Sequence, residues 1–479
     1  MSSVTKPDLV VSKDVPGRTQ RRVGIALLAI AGLLVTARAF SAVPNDATLS
    51  VTLLAIAAIM ALGVSRTPGG GTSLIGLFFL TTVVFNLGRP ILWLIFGDES
   101  LYELALGLNA GAPGSVERSD LLLFWCIGIA SLAGGYFAFY RVVESRRSPL
   151  PERRKAYCRD CFWITLVIIA ISIPVAAESK LAIFIREGYP GLYASQTSYS
   201  FSWFRSLDFL LPALFGLAVL LRESIYMRLV AVMVALYAVT GLFVGQRAAV
   251  GQVVLVAVWY LSVIRRKGVR KWLLVSAGAV LIVLFQFIAG WREGDGNAIT
   301  LAQFMVDQGV TFLLPASIGQ LPFPQFHTIL GSFIPLGAVY STLGVGTAAD
   351  RSLGNYLNSQ LSIAQFEQGY GLGSTFYLEL FYLSGAVWTF YLAACALSGV
   401  LLRKWEESSL RSDLSLLCLC MCVSNIVFLP RGTISAITSQ IIYASVYMLV
   451  IYLVPLLMVK SSSSTRSSSS VGLGTTAHA

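Results

Sequence analysis

The chain is predicted to be an all-α, polytopic integral membrane protein with about 12 transmembrane helices and a long outer stretch of interfacial or re-entrant helices. Three observations predict this. Of 479 residues, 56% are apolar and 12% charged, about half the ~25% charge of soluble domains. Apolar runs of about twenty residues, the length that crosses the hydrocarbon, recur a dozen times. Backbone polar groups must pair within the segment in lipid, so each run should be a helix. Finally, basic residues are spread unevenly among the connecting segments, as membrane orientation requires.

Residues 1–22 are polar and basic and read as a disordered cytoplasmic tail. A single transmembrane domain, 23–458, follows. Its first apolar run has a basic flank like a signal peptide's, but it is long enough to span and more hydrophobic helices follow, so it is expected to stay uncleaved. The expected spans are 23–43, 48–64, 73–96, 120–140, 161–177, 208–221, 229–245, 248–264, 272–289, 384–402, 413–429 and 434–458. Outer loops are expected at 178–207 and 290–383. Residues 459–479 form a Ser-rich, low-complexity cytoplasmic tail.

Charge sets the orientation. Of the 35 Lys/Arg, 25 fall in the proposed inner segments, eight in the outer ones, and Arg38 and Arg89 in spans. Acidic residues run the other way, nine inside and 15 outside. Both termini are therefore expected in the cytoplasm, and the net charge of +11 reflects basic inner loops rather than a nucleic-acid partner. Residues 301–317 and 328–345 are apolar enough to dip into the membrane. If both crossed, there would be fourteen spans with the same orientation.

The seven cysteines fall in spans or inner segments, so no disulfides are expected. Cys158 and Cys161 form a lone pair without a second pair or a nearby His, which does not make a zinc site. Cys418, Cys420 and Cys422 read as core residues. No Walker motif, GxSxG, HExxH, dinucleotide fingerprint or Asp-x-Asp stands in a suitable context, so no metal or cofactor is expected.

With few charges outside, the outer arginines stand out. Arg247 sits at the turn between the seventh and eighth spans, Arg292 directly after the ninth, and Arg431 in Leu429-Pro-Arg-Gly432. Arginine's rigid fork suits phosphate oxygens; the bland alternative is snorkelling to lipid phosphate. Arg89, in Asn86-Leu-Gly-Arg-Pro90 of the third span, either lines a cavity or snorkels, and Pro90 should kink that helix. Arg38 is expected to snorkel. Glu379 is the candidate catalytic carboxylate. It is expected to lie half-buried in an aromatic run, where desolvation would raise its pKa and let it act as a base toward an acceptor hydroxyl or orient it. The bland alternative is an ion pair with an arginine. His327 is the one histidine outside the tail; structural and substrate-binding roles both remain open. Glu293, Asp295 and Asp307 read as solvated acids.

Four stretches carry a resemblance: Gly245-Gln-Arg-Ala-Ala249, Leu330-Gly-Ser-Phe-Ile-Pro335, Gly371-Leu-Gly-Ser-Thr-Phe-Tyr-Leu-Glu379, and Pro430-Arg-Gly432. In their order and topology, over about residues 180–458, the chain resembles the oligosaccharide repeat-unit polymerases, the Wzy-type O-antigen polymerase family. The resemblance implies a bacterial inner-membrane glycosyltransferase joining undecaprenyl-diphosphate-linked oligosaccharide repeat units on the outer face, beside a chain-length-regulating membrane protein. Arg247, Arg292 and Arg431 would hold diphosphate and Glu379 would sit by the acceptor. The Pro-Arg pairing expected after the Ile-Pro element is missing, since Gly337-Ala-Val-Tyr340 follows. An O-antigen-ligase-like transferase, kept alive by His327, and a lipid-linked oligosaccharide flippase are the rivals. A flippase would show internal repeats and midplane charges.

Overall fold

The computed structural model describes residues 17–98, 101, 115–142, 150–197, 210–243, 247–265, 301–317, 321–334, 352–361 and 374–446, with scattered positions in 276–286 and at 366 and 449. Among the described residues every regular element is a helix. In chain order they are α1 Arg18–Ala39, α2 Asp46–Ser65, α3 Leu74–Thr82, α4 Gly88–Phe96, α5 Ser115–Ala138, α6 Glu152–Thr197, α7 Leu210–Leu221, α8 Ser224–Phe243 and α9 Arg247–Trp259. Then come α10 Leu301–Gln308, α11 Phe326–Phe333, α12 Leu353–Leu361, α13 Phe376–Leu383, α14 Trp388–Ser409, α15 Asp413–Phe428 and α16 Ile434–Val446.

Among the described residues, seven helices are long and apolar enough to cross a membrane, and three shorter apolar ones accompany them. Together with α14 they match the expected spans, except the ninth at 272–289, where only scattered positions are described. The tails 1–16 and 459–479 lie outside the described residues.

α5 is the axis of the larger core. It is almost wholly buried and lies against α1, α2 and α14. Close approach is possible because glycines face backbone across each contact. A Cβ on Gly24 would stand 2.1 Å from the Ala138 nitrogen; on Gly135, 2.0 Å from the Ala396 oxygen; and on Gly399, 1.9 Å from the Leu132 oxygen. Lipid tails are as apolar as the helices, so such close backbone packing, rather than hydrophobic driving force, holds the helices together. A second apolar cluster joins α6, α7, α8, α9 and α15. α3 sends Ile75 and Phe78 into the first cluster and Leu74 and Leu77 into the second.

Polar bonds fix the antiparallel order. At one end Gln20 donates to the Arg66 carbonyl and Arg21 to that of Tyr140. There buried Arg403 pairs with Glu406 at 2.9 Å and Glu407 at 3.1 Å, donates to the Arg141 carbonyl and lies 4.0 Å over the Tyr140 ring. At the opposite end Arg38 pairs with Asp120 at 3.0 Å and Ser119 bonds Asp46.

Three expectations need correction. α1 begins at Arg18, so 18–22 belong to an ordered helix docked through Gln20 and Arg21. α6 runs past the expected end of its span, because Glu178–Glu187 contains no helix breaker. Its non-helical interruption is at Gly188 (φ 70°), a left-handed value that glycine accepts readily. Arg38 is ion-paired rather than simply snorkelling. All seven cysteines are free, and only Cys418 is less than fully buried.

Gly399→Ala tests the packing at the core. Alanine gains about 1 kcal/mol of helix propensity, but its Cβ would enter the Leu132 carbonyl, and overpacking costs about 1–3 kcal/mol or more. The expected net result is a lower thermal midpoint in detergent and a smaller monodisperse fraction.

Candidate active site

Three parts of the chain distant in sequence meet at the Arg38–Asp120 end of the bundle. The first is the third span. Pro90 has no N–H to donate to the preceding turn, and between α3 and α4 the helix widens into a π turn, Val83–Leu87, a feature frequent at functional sites. The Phe85 carbonyl there accepts from the Thr311 hydroxyl at 2.9 Å. Fully buried Asn86 accepts from the same hydroxyl at 3.0 Å and donates to the Pro430 carbonyl at 3.2 Å.

The second part is 301–317, made of α10 and two 3-10 turns, Gly309–Phe312 and Leu314–Ser317. Eight helical residues rise only about 12 Å, too short to cross the membrane. Instead the segment packs on the third span. Buried Arg89 donates to the Val306 carbonyl at 3.1 Å and the Leu101 carbonyl at 3.0 Å, with its stem against Gly309. Trp125 of α5 donates to the Phe312 carbonyl at 2.9 Å. Arg89 thus clamps the outer stretch to its own span. α11 is equally short; 335–345 lies outside the described residues.

The third part is the 3-10 turn Leu429–Arg431 between α15 and α16. Arg431 donates to Gln308 at 2.6 Å and lies 5.5 Å from the Phe85 ring centre, a cation–π distance. The next helix opens at Ile434, and its N–H donates to Glu379 Oε2 at 2.6 Å. A helix N-terminus favours negative charge, and Thr433 caps the same end by accepting from the Ala436 amide. Arg431 and Glu379 therefore flank one short turn.

Glu379 is fully buried, deeper than its sequence context suggests. Burial pushes its carboxyl up to about 8 despite the Ile434 amide, which favours the charged form. Ser374 pulls the same way more weakly, and its hydroxyl makes no well-formed hydrogen bond to Oε1. Oε1 has no hydrogen-bond partner among the described residues, and no described arginine pairs with the carboxylate. Gly354 of α12 roofs that oxygen, since a Cβ there would stand 2.7 Å from Oε1 and 2.4 Å from Thr433 Cγ2. The roof is tied down by Ser332, whose hydroxyl accepts from the Leu353 amide at 2.9 Å and whose carbonyl accepts from Thr438 at 2.8 Å.

Of the other candidates, Arg247 begins α9, which packs on α15 and α3. His327 is half-buried near the start of α11, the helix that carries Ser332. Asp307 lies on α10. Arg292, Glu293 and Asp295 lie outside the described residues. Sequence reasoning missed Asn86, Thr311, Gln308, Gly354 and the Ile434 amide. A buried-span asparagine and a threonine cap were legible signals; a backbone N–H carries none. Among the described residues no group of three or more His, Cys, Asp or Glu is placed to hold a metal ion.

An all-helical bundle with a buried carboxylate beside an arginine-bearing turn defines a multi-pass membrane protein with a polar site at one end. More narrowly, the chain belongs to the O-antigen polysaccharide polymerase Wzy family, whose model matches residues 24–462. No curated protein and no solved structure matches it. Three of the four stretches carrying the resemblance converge on Glu379: Ser332 anchors its roof, Ser374–Glu379 leads into it, and Pro430–Gly432 precedes its amide.

Gly354→Ala should thrust a methyl group onto Oε1 and Thr433. The expected outcome is correctly inserted protein that no longer supports long polymer, read by glycan ladder length in a complemented deletion strain.

Proposed function

We propose that this protein polymerises undecaprenyl-diphosphate-linked oligosaccharide repeat units of a surface polysaccharide, on the outer face of the bacterial inner membrane. The observation that carries the reading is buried Glu379, one oxygen held by the Ile434 amide and the other without a hydrogen-bond partner among the described residues, beside the turn that bears Arg431. The excess of basic residues in the connections on the Arg403 side supports a cytoplasmic placement of that end, of both termini, and hence an outer placement of the site.

In the reaction, a hydroxyl oxygen of the incoming repeat unit attacks the anomeric carbon of the sugar at the lipid-linked end of the growing chain. The bond from that carbon to the diphosphate oxygen breaks, and its electron pair leaves with undecaprenyl diphosphate. The hydroxyl proton passes to Glu379 Oε1. Arg431, joined by Arg247 and Arg292, offsets charge developing on the diphosphate, where pre-placed cationic donors are most effective. The leaving group stores the bond energy, so the step requires no nucleotide. The roof over Glu379 keeps out water, which would otherwise hydrolyse the donor.

Glu379→Gln keeps the shape and removes the base. It should lower turnover by about 10²–10⁴-fold, with single repeat units accumulating on lipid. Arg431→Ala should also stop chain lengthening. Long polymer from both variants, measured on lipid-extracted glycans, would end the assignment. Acceptors left bare in the deletion strain, rather than carrying single repeats, would point to a ligase or flippase.

The raised carboxyl gives a pH signature. A base must be ionised, and Glu379 ionises only as pH rises through about 8. Polymerisation by purified enzyme should therefore rise about tenfold per pH unit on the acid side and level off above that value. Glu379→Gln should flatten this limb.

A further inference from the structure

Below the Arg431 turn lies an apolar groove of about 680 Å³ between α8, α9, α15 and α7. That volume falls within the range of small-molecule sites. Small side chains hold it open: Ala231 and Ala235 of α8 face Val253 and Ala257 of α9. Ala231, Ala235 and Ala257 are exposed, so the groove opens sideways at the depth of the spanning helices. From Met227 to Tyr237 it follows eleven residues of α8, a rise of about 15 Å and half the hydrocarbon thickness.

Its polar lining is set toward the ends. Gln252, Asn425 and Gln440 lie toward the Arg431 end, and Arg228 at the other. Asn425 donates to the Ala436 carbonyl at 3.1 Å, joining α15 to α16 just beneath the Leu429–Arg431 turn. Gln252 is five residues along α9 from Arg247, about 7.5 Å below it. The groove's polar end therefore opens toward the helix ends that bear Arg431 and Arg247, neither of which lines it.

Resting on the polymerase reading above, we propose that this groove binds the polyisoprenoid chain of a lipid-linked diphosphate substrate, with the diphosphate at its Arg431 mouth. An apolar chain enters sideways from the bilayer and leaves the anomeric carbon near Glu379. The polar residues toward its Arg431 end distinguish this occupant from a bulk phospholipid, which needs no anion site at the mouth.

The test uses full-length protein in nanodiscs and a polyprenyl diphosphate carrying a diazirine midway along its chain. Photo-adducts mapped by mass spectrometry should fall on groove-lining peptides such as those holding Met227 and Tyr260, and unlabelled polyprenyl diphosphate should compete them away. Ala235→Trp should weaken labelling by about tenfold, equivalent to about 1.4 kcal/mol. Val232→Trp, on the lipid-exposed face of the same helix, should leave it unchanged. Adducts confined to exposed helix faces, or equal labelling by a diazirine phospholipid that polyprenyl diphosphate does not displace, would overturn the groove assignment. If Ala235→Trp fails to fold, the wild-type adduct map still decides. Polymer formation is assayed on the same preparation. Labelled groove without polymer removes the polymerase reading alone, whereas polymer with adducts elsewhere removes the groove alone.

Discussion

The bond from the Ile434 amide to Glu379 is the contact on which the site depends, because it joins elements 55 residues apart in sequence. A carboxyl buried at the end of a membrane bundle is costly to ionise, and the N-terminus of α16 offers the local field that makes this tolerable. Among the described residues, only one of the two carboxyl oxygens has a hydrogen-bond partner. Around the other the chain places a glycine where any larger side chain would collide. Such an incompletely satisfied buried acid is poor for stability and well suited to proton transfer.

That contact holds only because the turn before it is itself anchored. Asn86 grips the Pro430 carbonyl and Gln308 accepts from Arg431. Both anchors are set by the broken third span and the segment clamped on it by Arg89 and Thr311. A charge that looks out of place in a membrane helix thus donates to the backbone carbonyls of Val306 and Leu101. The aromatic wall of Trp125, Phe312 and Tyr377 completes the support from α5. Rigid scaffolding around a short polar turn is what keeps catalytic groups within the narrow tolerance their chemistry demands.

The opposite end is built differently. Arg403, Glu406 and Glu407 form a dense buried network with Tyr136 and Tyr140, in which each ionised group has partners. The contrast between a saturated polar cluster at one end and a partly satisfied one at the other separates a structural anchor from a candidate active site. Counting charges alone does not tell such ends apart. Arg38 and Arg89 look alike in the sequence, yet one pairs with Asp120 and the other binds backbone carbonyls.

From the sequence alone came the spans, their alternation, the excess of basic residues on one side and Glu379 as the carboxylate to watch. These follow from transfer energies and charge placement that act residue by residue, so local composition suffices to read them. The extension of α6, the short helices of the outer stretch and the identity of Glu379's neighbours were decided only by the tertiary structure. Packing chose which helix end would face the carboxyl, and the donor it supplied is a backbone N–H that every residue but proline possesses. Gly354 and Ser332 acquire meaning for the same reason, as one leaves room beside an oxygen and the other ties down the helix above it. The groove beside α8 exists because small residues on neighbouring helices face each other across it, a juxtaposition that no single stretch of sequence contains.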